Sequence, residues 1–167
     1  MHETTRFVTA DELIYINELL VGAELEQKTL LGKQRVRDLD LLAAAVGRPA
    51  QTVFGADAFP TLDEKAAALL HAVARYHPFA DGNKRTATVG AILMLAMNGR
   101  GVAWDAHAAL GQIVAMAEGQ AEVGDFAAWL VTEPGPSFLQ PDADQDQRLI
   151  DRILREHDWL LSELASR

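Results

Sequence analysis

Two helical stretches joined by a short loop constrain this chain more than anything else in it. Asp63 to Tyr76 (DEKAAALLHAVARY) is rich in Ala and Leu and has no Gly or Pro, so it predicts a helix. That helix stops at His77, because the residue before a proline is pushed out of the α region and Pro78 follows. Lys84 to Asn98 (KRTATVGAILMLAMN) predicts a second helix, nearly all apolar and therefore buried, with Asn98-Gly99 as the signal for a left-handed C-terminal cap. The chain must therefore build a helix-loop-helix corner around a core helix.

The loop at that corner, His77-Pro78-Phe79-Ala80-Asp81-Gly82-Asn83 and onward into Lys84-Arg85, has a catalytic composition. Gly82 and Asn83 precede a helix start, where unpaired N–H groups and the positive end of the dipole attract an anion. Lys84 and Arg85 are cations in a first helical turn, where they oppose the dipole unless something negative sits between them. The simplest such ligand is a phosphate. Asp81 suits a Mg²⁺ bridging phosphate oxygens, and His77 suits the removal of a proton from an incoming hydroxyl. The residues alone indicate transfer of a nucleotide-derived group to a hydroxyl.

The run from His77 to Ala87 resembles the signature of the Fic/Doc (Fido) family, and its death-on-curing branch most closely. The resemblance extends from about Arg6 to about Val131, and includes Phe7 to Ile14 and the segment from Leu30-Gly32 to Gly47-Arg48. It implies His77 as general base, Asp81 as Mg²⁺ ligand, Gly82 and Asn83 as the anion nest and Arg85 as a phosphate contact, with Phe79 anchoring the loop. It also implies ATP and Mg²⁺ as cofactors. Adenylyl-transferring members carry a glycine where this chain has Lys84, and an arginine where it has Thr88. In the Doc-like branch ATP is held in the reversed sense and delivers its γ-phosphate. The resemblance thus implies an ATP-dependent protein phosphotransferase, a toxin acting on a threonine of EF-Tu and held in check by an antitoxin in trans. Two alternatives stand beside it: an AMP-transferase, and a non-catalytic nucleotide-binding or adaptor module.

The remaining elements predict an all-α domain with at most a small hairpin. Thr9 and Glu12 form a capping box before a helix from about Ala10 to Val21, and Asp38 to Val46 forms another, closed by Gly47 and Pro49. In Gln51 to Leu62, Val53-Phe54 and Ala58-Phe59 flank a glycine turn and read as a weak β-hairpin. By resemblance this is a flap that pairs with the target by adding a strand, which makes Thr52, Val53 and Phe54 candidate docking residues; the alternative is an ordinary loop pinned by Phe54 and Phe59. Gly101 to Asp105 reads as a brief extended piece, with helices at Ala106 to Ala117 and Gly124 to Leu130.

Glu133-Pro134-Gly135-Pro136-Ser137 reads as a break and Gln140 to Gln147 as an acidic linker. This divides the chain into a Fido-type helical bundle at 1–133, a linker at 134–147 and an added amphipathic helix at 148–167. The helix carries Ile150, Ile153, His157, Leu160 and Leu164 on one stripe, which must pack back on the domain, pair with a second copy as a homodimer, or cover the nucleotide site. An inhibitory motif of the kind some Fic proteins carry is not present in it.

The net charge of −9 argues against a nucleic-acid partner, whose backbone is gripped by Lys and Arg. A basic run, Lys33-Gln34-Arg35-Val36-Arg37, reads as a solvated loop or as a dock for an acidic partner. Absence of cysteine agrees with a reducing cytoplasm, no basic n-region precedes an apolar core in residues 1–20, and the apolar helix around Val89 to Met97 is too short for a bilayer. His2, His71, His107 and His157 lie at no metal-ligand spacing and read as structural or solvated.

Overall fold

A computed structural model describes residues 4–27 and 36–167, with the backbone alone for 23–27. Among them the chain is helical, with eight α-helices and two small two-stranded sheets. Of the basic run, Lys33, Gln34 and Arg35 lie outside the described residues, as do His2 and Leu30 to Gly32.

Helix α1 (Ala10–Gln27) starts at the expected capping box: Thr9 N donates to Glu12 Oε1 at 3.0 Å, and Glu12 N donates to Thr9 Oγ1 at 3.2 Å. It runs beyond Val21 because the residues after Gly22 are strong helix formers, which outweigh one glycine. Helix α2 (Leu39–Gly47) is capped by Asp38, whose carboxylate accepts from Asp40 N and Leu41 N. A 3₁₀ turn at Arg48–Ala50 leads into a hairpin of β1 (Thr52–Val53) and β2 (Ala56–Asp57).

The hairpin is present, but its second strand lies two residues before the expected Ala58-Phe59. A two-residue turn with positive φ at both central positions closes it, Phe54 at 52° and Gly55 at 80°, which moves Phe54 from the strand into the turn. Lys65, 5% exposed, tethers the hairpin to the domain by donating to Asp57 Oδ2 at 3.1 Å and to Phe59 O.

Helix α3 (Leu62–Tyr76) packs along α4 (Asn83–Met97), and α4 is the hub of the fold. Almost every residue of α4 is buried, and α1, α3 and all the later elements except α6 touch it. At Gly90 a Cβ would stand 2.9 Å from Leu13 Cδ2, so a side chain there would force Leu13 to shift where α1 meets α4.

The chain then departs from the expected reading. The extended piece begins at Asn98: β3 (Asn98–Val102) pairs antiparallel with β4 (Thr132–Ser137), so the Pro-Gly-Pro run is a strand. Pro134 stands opposite Arg100 on a ribbon of only two strands, where the missing N–H can face solvent. Between them lie α5 (Ala106–Ala117), capped by Asp105, and α6 (Val123–Trp129).

The tail is two helices, α7 (Ala143–Glu156) and α8 (Asp158–Ala165), with His157 at the break between them. Helix α7 thus begins inside the stretch read as linker. Leu149, Ile150 and Ile153 of α7 are buried, as are Leu160, Leu161 and Leu164 of α8; α7 packs on α4, and α8 on α5 and α4. Of the three fates open to the stripe, packing back on the domain is observed, and in doing so the end of α8 also reaches the pocket formed by the α3–α4 loop.

Arg6 fastens the tail. Its guanidinium grips Asp146 with two donors, at 3.1 and 2.6 Å, and donates to Phe138 O at 2.7 Å. The Arg6 backbone exchanges two hydrogen bonds with the Asn98 side chain, both 2.8 Å. No described helix is long and apolar enough to cross a membrane.

Arg6→Ala strands a largely buried Asp146 carboxylate, so urea denaturation should show a loss of roughly 3 kcal/mol. Arg152→Ala, removing an exposed i,i+4 pair with Glu156, should change stability by less than about 0.5 kcal/mol. Equal effects would mean that the Arg6 clamp contributes nothing special.

Candidate active site

The loop between α3 and α4 is held from three directions before any ligand arrives. His77 ends α3 in the left-handed region, at φ 53° and ψ 57°. Arg37 caps the carbonyl end of the helix, donating from Nε to His77 O at 2.7 Å and from Nη2 to Tyr76 O at 2.9 Å. Phe79, 1% exposed, anchors the loop in the core. Its backbone exchanges two hydrogen bonds with the Asn83 side chain, Phe79 N to Oδ1 at 3.0 Å and Nδ2 to Phe79 O at 2.9 Å.

That exchange decides what Asn83 can offer. Its amide is spent on the loop, which leaves its backbone N–H, at the first position of α4, as the group it could offer an anion. The first helical hydrogen bond of α4 runs from Thr86 N to Gly82 O at 2.8 Å. The N–H groups of Asn83, Lys84 and Arg85 therefore precede the ladder, at the positive end of a 15-residue dipole.

Gly82 turns the chain into α4 at φ 73°, and a Cβ there would lie 2.8 Å from Val21 Cγ1 and 3.4 Å from Asn17 Nδ2. Only glycine satisfies both conditions. Asn17, 1% exposed on α1, donates to Asp81 O at 2.9 Å and to Thr86 Oγ1 at 3.1 Å, and so ties the loop to the start of α4. Sequence reasoning missed this residue. Its signal was an amide on the apolar face that Leu13 and Ile16 occupy.

The expected site residues converge. His77, Asp81, Gly82, Asn83, Lys84 and Arg85 line one pocket of about 170 Å³, together with Ala80. The lining is completed by Leu164 and Ala165 at the end of α8 and by Arg167 just beyond it. Asp81 Oδ1 accepts from Gly82 N at 2.8 Å, and Oδ2 stands 3.9 Å from Arg85 Nη2. Arg85 also donates to Leu20 O at 3.3 Å, which braces its guanidinium against α1. Thr88 is wholly buried and donates to Lys84 O, so it presents nothing to the pocket.

Desolvation of the His77 ring, and then the positive charges of Arg37, Lys84 and Arg75, push its pKa below the usual 6.5. The imidazole is neutral at pH 7 and able to accept a proton.

A divalent cation fits the carboxylate present. The Asp81 side chain is 59% exposed and keeps oxygen lone pairs toward the pocket. Among the described residues no group of three or more His, Cys, Asp or Glu side chains is placed to hold a metal. Such a donor set suits magnesium carried largely by substrate phosphates and water.

The expected docking residues lie elsewhere. Thr52, Val53 and Phe54 sit on the hairpin, where Val53 is half-exposed and Phe54 fully exposed. The other described histidines have structural surroundings: His71 Nδ1 faces Arg48 Nη1 at 2.5 Å, His107 stacks near Trp159 and His157 lies edge-on to Trp104.

The model of the Fic/DOC family matches residues 7–95, more than half of the chain and the whole of this loop. The chain belongs to the Fic/DOC family. A protein named toxin Doc, from Mycolicibacterium smegmatis (strain ATCC 700084 / mc(2)155), is 43% identical over 101 residues, covering 60% of this chain and 71% of the relative. Fic/DOC proteins are typically enzymes that transfer groups from nucleotides to proteins. Helices α7 and α8 lie beyond the family match, although α8 forms a wall of the pocket.

Asn17→Ala leaves Asp81 O and Thr86 Oγ1 without their buried donor and should cost about 1–3 kcal/mol in equilibrium urea unfolding. Asn17→Asp, which points an acceptor at two oxygens, should cost at least as much. Wild-type stability in either variant would remove Asn17 as the tie between α1 and the loop.

Proposed function

We propose that this protein is the toxin of a toxin–antitoxin pair, and that it transfers the γ-phosphoryl group of ATP to a hydroxyl of a protein, with a threonine of EF-Tu as the expected acceptor. The observation that carries this reading is the meeting, in one pocket, of a neutral imidazole, a carboxylate, an open helix N-terminus and two cations. The similarity to a protein named toxin Doc supports the toxin role.

In this reading the phosphate chain lies on the N–H groups at the start of α4, with Lys84 and Arg85 balancing its charge. Asp81 is the residue that would hold Mg²⁺, which supplies charge neutralisation between phosphate oxygens. His77 takes the proton of the acceptor hydroxyl as its oxygen bonds to the γ-phosphorus. The bond from that phosphorus to the bridging oxygen breaks, and ADP leaves. Thr52 and Val53 offer the acceptor protein an exposed strand edge, with Phe54 exposed in the turn beside them.

Transfer to the γ-phosphorus is favoured over AMP transfer because position 88 is a buried threonine, so no second guanidinium reaches the phosphates from that turn of α4. An antitoxin in trans would dock by laying a helix in a groove of this chain. An acceptor on a translation factor would place the protein in the cytoplasm.

Intact-mass analysis of purified EF-Tu, incubated with this protein, ATP and Mg²⁺, tests the reaction. A gain of about 80 Da marks a phosphoryl and a gain of about 329 Da marks AMP. His77→Ala should lower the rate at least about 100-fold, the scale of general-base catalysis. An AMP-sized gain overturns the γ-phosphoryl reading. No gain on EF-Tu or on any protein of a bacterial extract sinks the enzyme reading and leaves a binding module.

The rate should fall as the pH drops through the lowered pKa of His77, because protonation removes the base. The acid limb of kcat/KM should therefore lie below pH 6.5, the ordinary histidine value. A limb at or above that value would contradict the electrostatic setting described for the ring.

A further inference from the structure

We propose that Arg167, two residues past the end of α8, is a phosphate-binding residue of the pocket: a third cation on its lining, with Lys84 and Arg85, that takes oxyanions of the nucleotide's phosphate chain. The inference rests on the nucleotide reading above and adds a residue that lies outside the family match.

Placement comes first. Leu160, Leu161 and Leu164 bury α8 against α4 and α5, so the turn that follows them is held where it is. Within that turn Ser166 N donates to Glu163 O at 3.2 Å and Arg167 N to Leu164 O at 3.3 Å. Arg167 lines the same pocket as Lys84 and Arg85.

The charge of that wall depends on this residue. The C-terminal end of a helix carries unpaired carbonyls and the negative end of the dipole, which repel an anion. Leu164 and Ala165 offer no compensating charge, so only Arg167 makes the α8 side of the pocket attractive to phosphate. Its present partner is Glu163 at 3.5 Å, with the two side chains 51% and 37% exposed. Such a pair is worth little in water, whereas a guanidinium binds phosphate through two parallel donors.

Size points the same way. Pockets that enclose a whole small molecule run to about 300–1,000 Å³. At about 170 Å³ this one encloses a phosphate chain and leaves the nucleoside at its rim. A residue on the enclosing wall therefore meets phosphates.

Calorimetric titration of the full chain with sodium tripolyphosphate and, separately, with MgATP tests the idea. Arg167→Gln should weaken both about five- to tenfold, a charge-assisted contact at a partly exposed site. Arg167→Lys should recover part of the loss, and Arg152→Gln on α7 should match wild type. Unchanged binding in Arg167→Gln overturns the inference. Tighter binding also overturns it and makes the end of α8 an obstruction. Arg167-dependent binding of tripolyphosphate without binding of MgATP would keep the anion site and sink the nucleotide reading, and a wild type that binds neither would sink both.

Discussion

Everything at the functional end of this molecule follows from burying α4 around its whole circumference. A helix sheathed by α1, α3, α5, α7, α8 and the β3–β4 ribbon can meet solvent only at its ends. Its N-terminal N–H groups cannot be left dry without cost, so the loop before it must open a pocket to water or to an anion. The chain meets this demand by placing Gly82 where no side chain fits and by spending the Asn83 amide on the backbone of Phe79. The residues that look chemical are gathered at the N-terminal end of the most buried element.

Rigidity of the loop and reactivity of the site come from the same neighbours. Arg37 caps the end of α3 and, by its charge, helps hold His77 neutral. Asn17 ties the Asp81 backbone to Thr86, which fixes that part of the loop relative to the helix start. Arg85 reaches both Asp81 and the Leu20 carbonyl within α1. A site prepared in this way loses little side-chain entropy when a charged ligand arrives, which is where preorganised electrostatics gains its advantage over water.

Most of the helices were legible in the chain. The boundaries of α3, α4 and α5 agree with periodicity and capping signals to within a residue or so, because propensity and burial agree there. The differences have local causes. Helix α1 passes through Gly22 because its packing and the residues beyond outweigh one glycine, and Phe54 leaves the strand because a two-residue turn needs positive φ twice. Pro134-Gly135-Pro136 looked like a break because proline is a poor strand former, but a ribbon of only two strands tolerates it. The tail stripe did not show its break at His157, where α7 ends against α4 and α8 turns toward α5.

The sequence by itself determined the helix-loop-helix corner and the composition of its loop, and so suggested the class of chemistry proposed for it, because those depend on residues adjacent in the chain. His77, Asp81, Gly82, Lys84 and Arg85 could be singled out for that reason. Only the tertiary structure decided that Asn17, 64 residues before Asp81, holds the loop, that Arg6 clamps Asp146, and that the end of α8 joins Lys84 in lining the pocket. Such contacts join segments far apart in the chain, and their geometry is set by how whole helices pack, which no local pattern of residues encodes.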